Sequence, residues 1–135
     1  MLGELRNIMR SGNGGDQPTK NAIIEAFCIH ARNLNEFFLG IGQGDTLKAS
    51  SFTTSKYQRS EPDEVRRSVF AKINKQISHL TEARTTVPRE KIGDLEREQM
   101  YCFLFDDLKR FSDHLKPALR PAWGVKFGSD GIARS

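Results

Sequence analysis

The chain has two cysteines, three histidines and one tryptophan in 135 residues, and each scarcity narrows what it can do. Cys28 and Cys102 fall inside apolar helical patterns, where free thiols are usually buried and inert. A reduced intracellular setting, cytoplasmic in the simplest case, fits them better than a disulfide. There is no Cys-x2-Cys and no His-x3-His pair. Cys28 and His30 stand two apart on a helix and so point to different sides. A metal site is therefore not expected, and no cofactor is implied. No apolar run approaches the ~20 residues that span a bilayer, so no membrane partner is expected. Met1 to Arg10 contains Glu4 and lacks an apolar centre, which argues against a secretory signal. No convincing strand pair and no internal repeat is present.

What is present is charge and helical periodicity. Lysine and arginine exceed aspartate and glutamate by 21 to 17, a net charge of +4. That excess permits an anionic partner such as nucleic acid but is mild. Basic residues gather at Arg59, Arg66, Arg67, Lys72 and Lys75, and again at Arg110, Lys116, Arg120 and Lys126. The plainer reading of both groups is solvated helix faces.

The pattern predicts an all-α fold: an antiparallel bundle of three long helices with short flanking helices. The divisions are a short helix and flexible loop over 1–18, the bundle over 19–117 and a C-terminal tail over 118–135. In the first segment Leu2, Leu5, Ile8 and Met9 share a side, and the glycine-rich run after Ser11 ends the helix. The first long helix spans 19–39, with Ile23, Ile24, Phe27, Ala31, Leu34 and Phe38 as its stripe, and stops at Gly40. Gly40 to Gly44 resembles a phosphate loop only superficially, because it follows a helix and not a strand. Residues 40–61 read as a long loop with room for a short helix, anchored by Phe52 and Tyr57.

Pro62, Asp63 and Glu64 start the second long helix, which runs to about Thr85 on the stripe Val65, Val69, Ile73, Ile77 and Leu80. Asp94 caps the third, which runs to about Leu115. Its stripe is Tyr101, Leu104, Leu108, Phe111 and Leu115, broadened by Phe103 and Phe105. Pro117 and Pro121 end it. So wide an apolar surface, with Trp123 in the tail, predicts a homodimer.

The residue most suggestive of chemistry is His79. It lies off the stripe, on the face of Lys72 and Lys75 and near Glu82. A histidine titrates near neutral pH, a carboxylate orients it, and lysines attract phosphate. Those are the parts that ribonucleolytic cleavage requires. Arg32 on the first long helix, three residues before Asn35, is the candidate phosphate clamp. The competing reading makes His79 a hydrogen-bonded structural ring and Arg32 an interhelical ion-pair partner, with Glu82 as a candidate acceptor. His114, near a helix C-terminus, is accounted for by the helix dipole.

Two segments carry a family resemblance. One is Arg32-Asn33-Leu34-Asn35-Glu36-Phe37-Phe38; the other is Asn74-Lys75-Gln76-Ile77-Ser78-His79-Leu80-Thr81. Together they look like uncharacterised bacterial helical proteins. The second resembles the HEPN superfamily, whose members are helical bundles, often dimers, many of them ribonucleases of toxin–antitoxin and phage-defence systems. The family motif is an arginine, four to six residues, then a histidine, commonly with a polar residue after the arginine. His79 matches the histidine. Lys72, Ile73 and Asn74 occupy the three positions open to the arginine.

Two function classes follow. One is a metal-independent ribonuclease or RNA-binding relative, with His79 as general acid/base and Lys72, Lys75 and Arg32 on phosphate, supported by Glu82 and Asn74. The other is a non-catalytic helical interaction or structural domain, open to a protein partner, in which His79 and Arg32 form a polar link between helices. The departure at the arginine favours the second, and the basic face favours the first.

Overall fold

The computed structural model describes residues 1–12, 15–42, 44–77 and 92–127. Among the described residues five α-helices form in this order: α1 Leu2–Ser11, α2 Gln17–Leu39, α3 Glu64–Ile77, α4 Asp94–Asp113 and α5 Arg120–Phe127. Short 3-10 turns sit at Ala49–Ser51 and Pro117–Leu119. The described residues contain no strand, only an isolated antiparallel bridge between Thr53 and Leu115. None of their helices is long and apolar enough to cross a membrane.

Local chemistry sets the helix ends. Gly12 at φ 71° takes the left-handed conformation that stops α1. Asp16 caps α2, accepting from the Thr19 backbone N–H at 3.0 Å; the Thr19 side chain first, and this backbone bond after it, hold its carboxyl below the ordinary range. At the other end Gly40 has φ 65°, and the Ile41 N–H returns to the Glu36 carbonyl at 3.3 Å. Asp63 caps α3 by accepting from the Arg66 N–H at 2.8 Å.

Two ends differ from expectation. The residue before α4 is Gly93, whose N–H donates to Glu96 Oε2 at 3.1 Å in a capping-box arrangement, leaving Asp94 in the first turn. Pro121 lies in the first turn of α5 and does not terminate a helix. Proline suits that position because its missing N–H has no helical acceptor there.

The chain divides into two compact units. The first is Met1–Asn33 with Pro62–Cys102, and the second is Leu34–Glu61 with Phe103–Ser135. The first unit buries Phe27, Cys28, Ala31, Val69, Phe70, Ile73, Ile92 and Met100. The second buries Phe38, Leu39, Ala49, Leu104, Phe111 and Leu115.

The α3 stripe is rotated from the expected one. Val65 is 48% exposed, while Arg66 and Phe70 are buried beside Val69 and Ile73. Positions 66, 69, 70 and 73 keep the helical period as well as 65, 69 and 73 do. The Arg66 stem lies under cover, with its guanidinium 5.7 Å from the Phe70 ring centroid. In α4 the buried line is Met100, Leu104, Asp107 and Phe111, and Leu115 just past the helix end is buried too. Tyr101 and Leu108 are half-buried. Cys102 is exposed, contrary to expectation, because it falls two residues from both Met100 and Leu104 and so faces away from that line.

In the second unit, residues 44–61 have the short 3-10 turn and the anchors that the sequence implied. The Phe52 ring lies 6.1 Å from Phe37. Tyr57 Oη donates to the Phe38 carbonyl at 3.4 Å, and Arg59 Nη1 to the Leu39 carbonyl at 2.6 Å. These bonds satisfy carbonyls at the end of α2 that have no intrahelical partner.

Candidate functional site

The described part of the expected basic site lies in the first unit. Lys72, on α3, is half-buried, and its Nζ donates to Glu96 Oε1 at 2.7 Å. That bond is the main reason the Glu96 carboxyl lies below its ordinary range. Lys75 and Asn74 are exposed in the last turn of α3. Arg32 is half-buried on α2, and its Nε is buried without a hydrogen-bond partner. Asn35, three residues on, is buried and belongs to the second unit. His79 and Glu82 lie outside the described residues. So does Leu80, the last position of the expected α3 stripe.

A second polar cluster of the first unit was not anticipated. Arg6 of α1 donates from Nε to both Glu98 oxygens at 3.1 Å. Its guanidinium carbon also sits 4.1 Å from the Tyr101 ring centroid. Arg10, one helical turn on, approaches the same carboxylate at 3.8 Å. Arg97 pairs with Asp94. Arg6, Met9, Arg10, Asp94, Arg97 and Glu98 line an open cleft of about 390 Å³. The Arg6 bond is the largest influence holding the Glu98 carboxyl below its ordinary range. Burial pushes the Arg97 guanidinium down from its ordinary value, but a guanidinium stays protonated at any working pH.

The sequence held a signal for part of this cluster. Arg6 and Arg10 are four apart on a helix, as are Asp94 and Glu98, so each pair shares a face. Which faces meet is a question of contacts 92 residues apart in sequence, and no local pattern contains that.

In the second unit, Asp107 is 2% exposed. Its Oδ1 accepts from the Ser60 hydroxyl at 2.5 Å and lies 3.4 Å from Arg110 Nη1. A buried carboxylate of this kind must be hydrogen-bonded to persist, and Ser60 supplies the bond. His114 stacks edge-on to Tyr57 with centroids 6.4 Å apart.

Cys28 is fully buried, and burial pushes its thiol up to about 12, so it is not a nucleophile near neutral pH. Among the described residues no group of three His, Cys, Asp or Glu side chains is placed to hold a metal. No protein-family model, no curated protein and no solved structure matches this chain.

Proposed function

We propose that this chain is a HEPN-like helical domain that binds RNA through the α3 face of its first unit. The observation that carries the reading is Arg32, a half-buried arginine whose Nε has no hydrogen-bond partner. A desolvated guanidinium donor left unsatisfied is costly, and a phosphate oxygen would satisfy it. Lys75, exposed at the end of α3, adds positive charge in the same unit. Lys72 contributes after exchanging Glu96 for phosphate. His79 is the general acid/base if the bound RNA is cleaved, oriented by Glu82, with Asn74 in support. The fuller proposal is an antiparallel bundle built on α2, α3 and α4. It forms a homodimer through the apolar flank of α4 around Phe103 and Phe105, and it acts in the cytoplasm in a toxin–antitoxin or defence role.

The competing proposal is a non-catalytic helical domain that binds a protein. It is favoured by one contact, the 2.7 Å bond that already occupies Lys72.

Fluorescence anisotropy with a short labelled RNA separates the two. RNA binding predicts that Lys75→Ala weakens the complex and lowers its salt slope by about one unit. Cleavage predicts that His79→Ala abolishes product while helicity is retained, because proton transfer contributes about 10²–10⁴-fold. Wild-type protein that neither binds nor cuts RNA leaves the interaction domain standing. Sedimentation at micromolar concentration tests the dimer.

A further inference from the structure

The cleft lined by α1 and α4 has an imbalance of charge. Three guanidiniums, from Arg6, Arg10 and Arg97, face two carboxylates, from Asp94 and Glu98. Three minus two leaves one positive charge without a protein counterpart inside the cleft. The three arginines are not held alike. Arg6 is fixed by two hydrogen bonds to Glu98 and by the Tyr101 ring. Arg97 is fixed by burial, its side chain only 14% exposed. Arg10 is 62% exposed and stands 3.8 Å from the carboxylate it shares with Arg6. It can leave Glu98 at little cost, since so exposed a pair contributes little.

We propose that this cleft is a binding site for a phosphomonoester group, carried by a free mononucleotide or by the 5′ end of an RNA. A phosphomonoester is close to doubly charged at neutral pH and offers three acceptor oxygens. Guanidinium forks match that geometry two bonds at a time. Arg97, held by Asp94 and the Ile92 carbonyl, adds fixed positive charge to the cleft wall, and Arg10 swings onto the ligand. Met9 supplies the soft apolar wall that a base or sugar packs against. The volume of about 390 Å³ lies within the range of small-ligand sites. The cleft uses none of the α3 residues, so it stands or falls separately from RNA binding there.

Glu98 makes the test specific, because it competes with the ligand for Arg6 and Arg10. The full chain is titrated calorimetrically with AMP and with trinucleotides bearing a 5′-phosphate or a 5′-hydroxyl. Saturable binding that requires the phosphate is expected. Arg10→Ala should weaken it by about tenfold or more, and Arg10 is exposed enough that folding is not at stake. Glu98→Gln should tighten it several-fold, which a purely structural role for these arginines does not produce. Glu4→Gln, on the exposed side of α1 and outside both proposed sites, should leave AMP binding unchanged. AMP binding assigns the free nucleotide as ligand, and binding of the phosphorylated trinucleotide alone assigns the RNA end. The proposal is overturned by no saturable binding at millimolar ligand, by equal binding of the 5′-hydroxyl form, or by an Arg10→Ala variant that binds as the wild type does.

Discussion

The two units of this chain draw on the same two long helices, and both bury apolar residues, yet α4 makes different long-range contacts in each. Residues of α2 and α4 contribute to both. In the first unit α4 offers Glu96, Arg97 and Glu98, and its long-range polar contacts are ion pairs with Lys72 and Arg6. In the second unit α4 offers Leu104, Asp107 and Phe111. There Phe111 meets Phe37, Phe38 and Trp123 with centroids 5.4 to 6.0 Å apart. Edge-to-face rings contribute beyond their buried area, while surface ion pairs contribute up to about 1 kcal/mol each. A helix can therefore carry surface ion pairs beside its buried line at one end and a ring cluster at the other, provided the residues change within a few turns. The first unit has exchangeable charge at its surface, and in the second the buried Asp107 carboxylate is closed off by Ser60.

The sharpest way to break the comparison is Phe111→Ala. It should cost about 3–5 kcal/mol by emptying the centre of the ring cluster. The single tryptophan, Trp123, is in contact with that ring, so its emission should shift to the red in the folded variant. An unchanged emission would show that the cluster does not hold the tryptophan.

The matching change in the first unit is Ile73→Ala, at a fully buried site, expected at about 2–5 kcal/mol by denaturant unfolding. Ile77→Ala should cost distinctly less, because Ile77 is only half-buried. Equal losses at the two sites would mean that the burial along α3 is misread.

Asp107→Ala comes next. It leaves the Ser60 hydroxyl without its acceptor and should cost about 1–3 kcal/mol, with Asp107→Asn milder because an amide oxygen still accepts. A neutral Asp107→Ala would remove the buried polar link from the account of the second unit.

The smallest effect belongs to the ion pairs, and it carries a sign in pH. The folded-state values of Glu96 and Glu98 are lowered, chiefly by hydrogen bonds from Lys72 and Arg6. A carboxylate whose folded value is lowered adds stability that is fully present above its unfolded value, and lost as pH falls through the folded one. Acidification below the ordinary carboxylate range should therefore remove up to about 1 kcal/mol per pair, and salt should remove part of it at neutral pH. In the Glu96→Gln, Glu98→Gln double variant this acid-dependent loss should shrink. A loss of the same size there would place its source elsewhere.

Much of the helix pattern is legible in the chain because helix ends are local events. Asp16, Gly40 and Asp63 act through bonds to residues a few positions away, and α2, α3 and α4 begin within about two residues of the starts expected at 19, 62–64 and 94. The buried faces are less legible. Val65 and Arg66 fit the α3 stripe equally well by period, and hydrophobicity favours the wrong one. The arginine wins with its whole side chain covered, 4% exposed, its guanidinium beside the Phe70 ring. Asp107 reads as a solvent-facing acid until Ser60, 47 positions earlier, is brought to it.

The sequence by itself determined that this protein is built of helices and where most of them start and stop. Period, caps and breakers act over one turn, and one turn of chain contains them. Only the tertiary structure decided that Arg6 and Arg10 share Glu98, that Lys72 is engaged by Glu96, and that an aspartate sits among the buried residues of α4. Those outcomes depend on groups between 24 and 92 residues apart, and folding alone determines which charges meet and which remain free to bind a ligand.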